Sequence, residues 1–475
     1  MAKATTKYVC QHCSESFPKW MGQCTNCHQW NTLVETIIEK SPKGKNGFGV
    51  EATPVDESAV MTFAQAAEST LPQERITTGI SEFDRVLGQS LYKGKLSRGI
   101  VPGAVILIGG EPGIGKSTLL TQMVMELTDQ CTQILYVSGE ESPNQINLRI
   151  NRILNIEQEK NNQKAQKEKV EKLNTRLKFF TQPDVDQLIT YIEQQKPSIV
   201  IVDSIQSLST DDLSGAAGSV GQLREVADRL TQVAKRYHIP IFLVGHVTKE
   251  GEIAGPKILE HIVDAVLELS GERTGQLRLL RAIKNRFGAT DEVGIFQVNE
   301  IGLQEVTNPS QVFLEEHAQR PVGSAIACVM EGARPLLIEV QALVINSQLA
   351  MPRRVGRGIQ LPRLQVLSAV LQKHARLPLG TADIFVNIAG GFTVNEPAID
   401  LAVCMAIASS QKNVALSEKT VFIGEVGLLG EVRQVSYADR RTKEAQRLGF
   451  TSVISRQNAS TVAALIKQLG LASAQ

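Results

Sequence analysis

One short motif constrains this chain more than any other part of its sequence. Residues 110–117 read GEPGIGKS and fit the pattern G-x-x-x-x-G-K-[ST]. An apolar run, Val105–Ile108, precedes the motif, and a helical pattern begins at Thr118. Glycines allow a loop to curl until successive backbone N–H groups point at a phosphate, and the following helix adds its positive dipole end. The motif therefore predicts a nucleotide-phosphate site between a strand and a helix.

We expect this loop to bind ATP together with Mg²⁺. The residues assigned to the nucleotide from the motif are Gly110, Glu111, Pro112, Gly113, Ile114, Gly115, Lys116, Ser117 and Thr118. Within this set, the Lys116 ammonium is expected to reach the β- and γ-phosphates, and the Ser117 hydroxyl is expected to ligate Mg²⁺. Lys116 is also a predicted catalytic residue, because its charge would offset the charge on the transferred phosphate in the transition state.

The composition is that of a globular protein with room for several domains. The chain has 475 residues, of which 42% are hydrophobic and 21% are charged, enough for two or three domains with their own cores. Its formal net charge is +1, so a nucleic-acid surface would have to be a local patch. No apolar run approaches the ~20 residues that span a bilayer, and the polar start does not fit a signal peptide. These features predict a cytoplasmic protein with no membrane partner.

The four cysteines nearest the start of the sequence predict a structural zinc site. Cys10, Cys13, Cys24 and Cys27 form C-x2-C-x10-C-x2-C, which supplies four thiolates from two tight turns, as a closed tetrahedral Zn²⁺ site requires. Disulfide pairing is the alternative, and a reducing compartment disfavours it. Because a closed site leaves no open coordination position, we expect this ribbon to present a surface to a partner or to DNA rather than to perform chemistry.

The order of apolar runs and helical patterns divides the chain into four parts. We expect a zinc ribbon over residues 1–36, a flexible linker over 37–75, a P-loop ATPase core over 76–308 and a second α/β domain over 309–475. In the core, short apolar runs alternate with helices, which indicates a mostly parallel sheet covered on both faces. The stretch 155–176 is almost wholly polar and is expected to be a solvated helical or disordered insertion.

Two strands of the core are expected to end in acids. The apolar run Ile199–Val202 is followed by Asp203, where a ligand of Mg²⁺ or of its water belongs in a P-loop fold. Glu140 and Glu141 close another strand, and a carboxylate there can orient and deprotonate the attacking water. We assign Glu140 as this base. Glu141 has the alternative role of an acid at a helix start.

A third strand, 241–245, delivers His246 to the same predicted sheet edge. There the imidazole could sense the state of the γ-phosphate, whereas a lone histidine more often makes an ordinary hydrogen bond. Two Gly-rich loops, 208–219 and 249–256, follow strands at that edge. They are candidates to touch a ligand threaded past the ATP site, because mobile loops on a rigid sheet commonly carry such contacts.

A basic segment, KNRFG at residues 284–288, lies late in the core. On its own it would be a basic strand end that touches solvent. Together with the phosphate-binding loop, Glu140, Asp203 and HVTKEG at 246–251, it resembles the bacterial RadA/Sms DNA-repair family. The resemblance covers essentially the whole chain, including the cysteine ribbon, and KNRFG is its most specific part.

This resemblance implies a RecA-like ATPase core that assembles into hexameric rings with ATP bound between subunits. Related ring helicases of the DnaB type carry a similar Lys-x-Arg pair. By that similarity, Lys284 and Arg286 are candidate catalytic fingers that reach the neighbouring subunit's ATP and stabilise charge on the γ-phosphate oxygens. The long polar insertion departs from the family pattern but falls away from the motifs.

The second domain resembles the proteolytic domain of Lon proteases. In the segment GGFTVNEPAIDL, residues 390–401, Ala398 stands where Lon has its serine nucleophile. The position of the second catalytic group, a lysine, falls near Asp439 or Arg440. Alanine has no oxygen to acylate, and arginine cannot act as a base. The resemblance therefore implies an inactive Lon-protease-like domain, a protease fold without protease chemistry.

Arginines cluster in one Gly- and Pro-punctuated segment of this domain, at Arg353, Arg354, Arg357 and Arg363. Contacts from arginine to phosphates would suit sequence-independent DNA binding. Solvated loop charge is the alternative, and the sequence does not decide between the two.

Three functions fit these features. The resemblance implies a DNA-dependent ATPase that acts as a translocase or helicase on recombination intermediates, in branch migration during DNA repair. Its implied partners are single-stranded and branched DNA and the RecA recombinase. An ATP-dependent Lon-like protease is the second function, and the missing serine and lysine argue against it. A nucleotide-switched scaffold that holds DNA or a recombinase is the third.

Overall fold

A computed structural model describes most of the chain. The described residues are 5–10, 16–26, 28–30, 32–38, 74–92, 94–158, 163–245, 256–271, 277–306, 308, 310, 314, 321–389 and 393–471. Cys13, Cys27 and His246 lie outside them, as does the predicted loop 249–255. The chain divides into two compact units: the first comprises Met1–Ser270, Leu280–Thr290 and Val298–Gln304, and the second comprises Gly271–Leu279, Asp291–Gln297 and Glu305–Gln475.

The N-terminal segment forms a small antiparallel sheet. Its strands are β1 (Thr5–Cys10), β2 (Ser16–Phe17) and β3 (Leu33–Ile38), in the order β2-β1-β3. Cys10 pairs with Leu33 across the two longer strands. Cys10, Cys24 and Leu33 are buried together, which places one cysteine from each half of the ribbon in a common interior.

A large sheet follows, preceded by a separate two-stranded hairpin. The hairpin strands are β4 (Gln89–Tyr92) and β5 (Lys95–Arg98). The sheet strands are β6 (Val105–Gly109), β7 (Ile134–Ser138), β8 (Leu177–Phe180), β9 (Ile199–Asp203), β10 (Ile241–Val244), β11 (Ala265–Ser270), β12 (Leu277–Asn285), β13 (Val293–Asn299) and β14 (Gly302–Glu305). Their order is β14-β13-β12-β11-β6-β10-β9-β7-β8.

Six of these strands, from β11 to β8 in that order, run parallel. The helices of this part are α1 (Ser81–Leu87), α2 (Lys116–Leu127), α3 (Pro143–Gln158), α4 (Gln163–Arg176), α5 (Val185–Gln195), α6 (Val220–Tyr237) and α7 (Pro256–Leu259). Every residue of β6, β7, β9 and β10 is buried, as expected for a parallel sheet with both faces covered. Because the strands are parallel, their carboxyl ends meet at one edge of the sheet.

The polar stretch at 155–176 is helical where the structure describes it, and α4 is anchored to its neighbours. Lys169 Nζ lies 2.7 Å from Glu126 Oε1, and Lys172 Nζ lies 2.9 Å from Asp129 Oδ1. Arg176 donates to the Thr128 carbonyl at 2.7 Å. The cations on the inner side of this helix are therefore paired within the protein rather than only solvated.

The second unit contains another mixed sheet. Its strands are β15 (Ser324–Glu331), β16 (Arg334–Asn346), β17 (Arg354–Arg357), β18 (Ala382–Ile388), β19 (Thr420–Phe422) and β22 (Ser452–Ile454), in the order β17-β18-β16-β15-β19-β22, and β20 (Glu425–Val426) pairs separately with β21 (Val432–Arg433). The helices are α8 (Leu361–His374), α9 (Asp400–Lys412), α10 (Ala438–Arg447) and α11 (Val462–Gln468). Helix α9 is buried from Asp400 to Ser409, which makes it the centre of this core. Among the described helices, none is both long and apolar enough to cross a bilayer.

Candidate nucleotide site

The phosphate-binding loop lies between β6 and α2, as the motif predicts. Gly110 has φ +152°, and a Cβ there would lie 2.5 Å from the Leu269 carbonyl oxygen. Gly115 has φ +116° and precedes the first residue of α2. A side chain at either glycine would strain the backbone or collide with it. The glycines of the motif are therefore required by the shape of the loop as well as by the approach of a phosphate.

Lys116 begins α2 and folds back over the loop. Its Nζ donates to the carbonyls of Gly110 at 2.8 Å and Glu111 at 3.1 Å. Burial lowers the pKa of this ammonium, while the nearby charges of Asp203 and Glu140 act in the opposite direction and favour the charged form. The loop lysine and the two predicted acids are thus within electrostatic reach of one another.

Asp203 ends β9 and is held by hydroxyl groups. It pairs in register with Ser138 on β7 and is only 5% exposed. Tyr136 Oη donates to Asp203 Oδ2 at 2.8 Å, and Ser117 also donates to this carboxylate. Burial raises the pKa of Asp203, and both hydrogen bonds oppose that shift. The two residues predicted to hold Mg²⁺, Ser117 and Asp203, are therefore in contact.

The sequence did not reveal Tyr136 as part of this site, although a signal was present. Tyr136 lies within the fully buried strand β7, and its hydroxyl needs a partner when it is buried. That partner is Asp203, and burial together with this carboxylate raises the pKa of Tyr136 well above its usual range. Tyr136 therefore remains a neutral donor that orients the carboxylate.

Glu140 and Glu141 have different surroundings. Ser204 Oγ donates to Glu140 Oε1. Glu140 is an exposed residue at the carboxyl edge of the sheet. Glu141 forms an ion pair with Arg149 of α3. Arg149 also donates to Thr121 Oγ1 on α2 at 3.4 Å. Glu141 is thus committed to a contact that joins two helices, and Glu140 is the acid that faces solvent beside Asp203.

Lys284 and Arg286 lie at the opposite edge of the sheet. Arg286 N donates to the Asp264 carbonyl at 3.1 Å, and Asp264 N donates to the carbonyl of Val105, the first residue of β6, at 2.9 Å. Lys284 Nζ donates to the Val263 carbonyl at 2.9 Å. The phosphate-binding loop follows the other end of β6, about 16 Å away for a five-residue strand. The structure therefore does not bring these two cations to the loop of their own chain.

The residues at the carboxyl edge fit a nucleotide with Mg²⁺. The loop offers backbone N–H groups at the start of a twelve-residue helix. Hard oxygen ligands from Ser117 and Asp203 match the preference of Mg²⁺. In the ribbon, the described thiols of Cys10 and Cys24 are buried in one cluster, and the donor set C-x2-C-x10-C-x2-C fits Zn²⁺.

The Lon-like residues of the second unit do not form a reactive group. Ala398 is 1% exposed, and its carbonyl accepts from Gly424 N at 3.0 Å. Asp439 lines a cavity of about 350 Å³ beside β22, and the Arg440 guanidinium lies over the Tyr437 ring at 5.3 Å. The next residue, Arg441, is completely buried and paired with Glu396.

Two of the four clustered arginines form hydrogen bonds or an ion pair within the protein. Arg363 pairs with the buried carboxylate of Asp400, with Nε 2.8 Å from Oδ1. Arg354 donates to the Leu379 carbonyl at 2.7 Å. Arg353 and Arg357 are exposed. A phosphate-binding surface in this segment would therefore depend on Arg353 and Arg357 rather than on all four.

Comparison with known proteins agrees with this architecture. Family models match residues 8–35 as a rubredoxin metal binding domain, 71–252 as an AAA domain and 342–458 as the ChlI subunit of Mg-chelatase. Together with the fold, these matches define a RecA-like P-loop ATPase that carries an N-terminal zinc ribbon and a C-terminal Lon-like domain. Among solved structures, the chain is similar to a KaiC-like protein of Pyrococcus horikoshii, with 19% identity and a TM-score of 0.36 over 50% of this chain and 100% of that one.

Curated relatives identify the family. The chain is 44% identical to the DNA repair protein RadA of Bacillus subtilis, over 96% of this chain and 93% of the relative. It is also 44% identical to the DNA repair protein RadA of Pseudomonas aeruginosa, with the same coverage of 96% and 93%. This chain belongs to the RadA family of DNA repair proteins. The resemblance predicted from KNRFG and the phosphate-binding loop is confirmed, and ATP, Mg²⁺ and Zn²⁺ are its cofactors.

Proposed function

We propose that this protein is a DNA-dependent ATPase that drives branch migration, as a translocase or helicase on recombination intermediates. In its nucleotide site, Lys116 offsets charge on the γ-phosphate and Ser117 and Asp203 hold Mg²⁺. Glu140 orients and deprotonates the attacking water, a role that its exposed position beside Asp203 supports. Glu141 is less suited to that role because its ion pair with Arg149 would have to break.

The observation that carries the proposal is the separation of Lys284 and Arg286 from the loop of their own chain. Each chain presents a phosphate-binding loop at one edge of its sheet and two cations at the other. Cations that stabilise a transferring phosphoryl group must touch it. If Lys284 and Arg286 are fingers, they act on the nucleotide of a second copy, so the active unit is an oligomer. We propose the hexameric ring implied by the family resemblance.

We assign the DNA contacts to the loop 208–219, to the loop expected over 249–256 and to the exposed Arg353 and Arg357. In the loop 208–219, the Asp212 carboxylate is held by Arg229 of helix α6, with Oδ2 2.7 Å from Nη2. Gly215 and Gly218, further along the loop, have φ of +131° and +81°. The glycine half of this loop is thus the part suited to touch a DNA backbone. His246, the residue that follows Gly245 in the sequence, would relay the nucleotide state. Single-stranded and branched DNA and the RecA recombinase are the proposed partners, in the bacterial cytoplasm.

A strand-displacement assay on forked DNA tests the proposal. Wild type should release a labelled strand when ATP is added, and its phosphate release should rise when oligonucleotide is present. The Lys116→Ala variant should do neither. Equal phosphate release with and without DNA, and no displaced strand, would overturn the proposal. DNA-stimulated hydrolysis without strand displacement or branch migration would favour the nucleotide-switched scaffold instead.

A further inference from the structure

Arg75 is buried beside the segment that carries the proposed fingers. The residue is 8% exposed. Its guanidinium donates to the carbonyl of Phe287 at 2.6 Å, to the carbonyls of Leu87 and Gly99 at 3.3 and 3.4 Å, and to Ser90 Oγ at 3.1 Å. One side chain therefore joins the end of α1, both ends of the β4–β5 hairpin and the residue that follows Arg286.

The residue before Arg286 is held by the same helix end. Asn285 Nδ2 donates to the carbonyls of Val86 and Leu87, each at 3.2 Å, and Asn285 Oδ1 accepts from Phe287 N at 2.9 Å. Close backbone packing completes the contact, because a Cβ on Gly288 would lie 2.8 Å from Gly88 Cα. The backbone is thus fixed on both sides of Arg286.

The side chain of Arg286 itself is not enclosed. It is 55% exposed, and its Nη1 lies 3.4 Å from Asp264 Oδ1. Asp264 is also paired with Lys235 at 2.9 Å, so its charge is shared between two cations. An exposed side chain on a rigid backbone is the arrangement that a finger requires, because its reach is set by the backbone and its head remains available.

We propose that Arg75 is a positioning residue for Arg286, holding the Phe287 carbonyl so that the finger projects at a fixed angle towards a second copy of this chain. The inference rests on the proposed trans role of Arg286. Arginine suits the task because its planar fork bonds several carbonyls at once, whereas lysine has a single flexible head group. A misplacement of about 1 Å at a catalytic group can cost about 10²-fold in rate.

Arg75→Lys tests this role, with Arg98→Lys as the matched control on the exposed face of the hairpin. Turnover should fall about 10-fold or more in Arg75→Lys, while binding of a fluorescent ATP analogue changes little and the thermal midpoint, lowered by the lost hydrogen bonds, stays above the assay temperature. Arg98→Lys should match wild type in all three measurements. In an Arg286→Ala background, Arg75→Lys should lower turnover less than twofold further, because the finger it positions is already gone.

Mixed assemblies separate a trans effect from a local one. Arg75→Lys and Lys116→Ala proteins are incubated together to exchange subunits before ATP is added. At some interfaces the intact phosphate-binding loop of an Arg75→Lys subunit then meets the correctly positioned Arg286 of a Lys116→Ala subunit. The turnover of the mixture should therefore exceed the sum of the turnovers of the two proteins measured separately. Asn285→Ala gives the same test if Arg75→Lys does not fold.

Each outcome is decisive. Arg286→Ala is mixed with Lys116→Ala in the same way. If Arg286→Ala gains activity in that mixture and the Arg75 or Asn285 variant does not, the positioning role is overturned while the trans finger stands. If Arg286→Ala itself gains none, the trans finger fails, and the positioning role fails with it. Wild-type turnover in Arg75→Lys, with Arg286→Ala strongly impaired, would also overturn the inference.

Discussion

The nucleotide site of the ATPase core and the Lon-like domain both bury charged side chains, but they hold them in different ways. In the core, Lys116 donates to backbone carbonyls, and Asp203 accepts from the hydroxyls of Tyr136 and Ser117. In the Lon-like domain, Arg441 pairs directly with Glu396. Neutral partners orient a charge without cancelling it, whereas an opposite charge neutralises it. The nucleotide site therefore retains charge for a ligand, whereas the Lon-like domain uses charge to hold its fold.

The largest effect should come from the core. Lys116→Ala should reduce ATP hydrolysis at least about 10³-fold, because it removes a preorganised charge from the transferring phosphate. Phosphate release at saturating ATP measures the effect. Lys172→Ala, which removes a surface ammonium paired with Asp129, is the control and should leave turnover unchanged. Near-normal turnover in Lys116→Ala would refute the assigned site and remove one side of the comparison.

The second effect concerns the Lon-like domain. Arg441→Met should lower the free energy of unfolding of this domain by about 3 kcal/mol, since it leaves the Glu396 carboxylate without its buried partner. The loss in free energy of unfolding is measured by urea denaturation, with limited proteolysis of the C-terminal half as the readout of unfolding. The double variant Glu396→Gln, Arg441→Met should recover part of it, because no charge is then left unpaired. Nucleotide binding should be unchanged in both, and a loss of binding would contradict the division of roles.

The third effect sharpens the assignment of the two neighbouring acids. Glu140→Gln should lower turnover about 10²-fold while retaining ATP binding, because the amide cannot accept the proton of the attacking water. Glu141→Gln should lower it less than about 10-fold, since it only weakens the contact to Arg149. Single-turnover hydrolysis with a parallel nucleotide-binding assay separates the two. The reverse order of effects would make Glu141 the base.

Signals confined to a short stretch could be predicted from the sequence. The amphipathic pattern over Val220–Tyr237 predicts a helix, and the structure has that helix with the same bounds. The apolar run that ends in Asp203 predicts a buried strand, which is β9. The GEPGIGKS motif likewise predicts a loop between a strand and a helix. In each case the local pattern and the tertiary structure agree, as they should where the fold does not override local preference.

Partners that are distant in the chain could not be predicted. Arg75 falls at the end of the predicted linker 37–75, yet it contacts Phe287, more than two hundred residues away. Tyr136 and Asp203 are separated by 67 positions. The hairpin of β4 and β5 was also missed, because its residues are mostly exposed and lack an apolar pattern. The hydrophobic periodicity of a segment indicates which of its faces is buried. It does not indicate which polar groups come into contact once the strands are arranged in a sheet.

The smallest expected effect concerns the Lon-like domain, which should gain no protease activity when the two Lon residue types are restored. The double variant Ala398→Ser, Asp439→Lys restores both residue types of the Lon dyad, and we expect no peptide cleavage above background. Position 398 is 1% exposed, so an added hydroxyl would be enclosed in the core and beyond the reach of a peptide carbonyl, which a nucleophile must approach directly. The buried pair of Arg441 and Glu396 also fixes this part of the domain as a packed interior. Fluorescent casein hydrolysis, with wild type as the control and ATP hydrolysis as the check on folding, measures the outcome. Cleavage that depends on both substitutions would show that only two side chains separate this domain from a protease, and that its buried charges do not prevent catalysis.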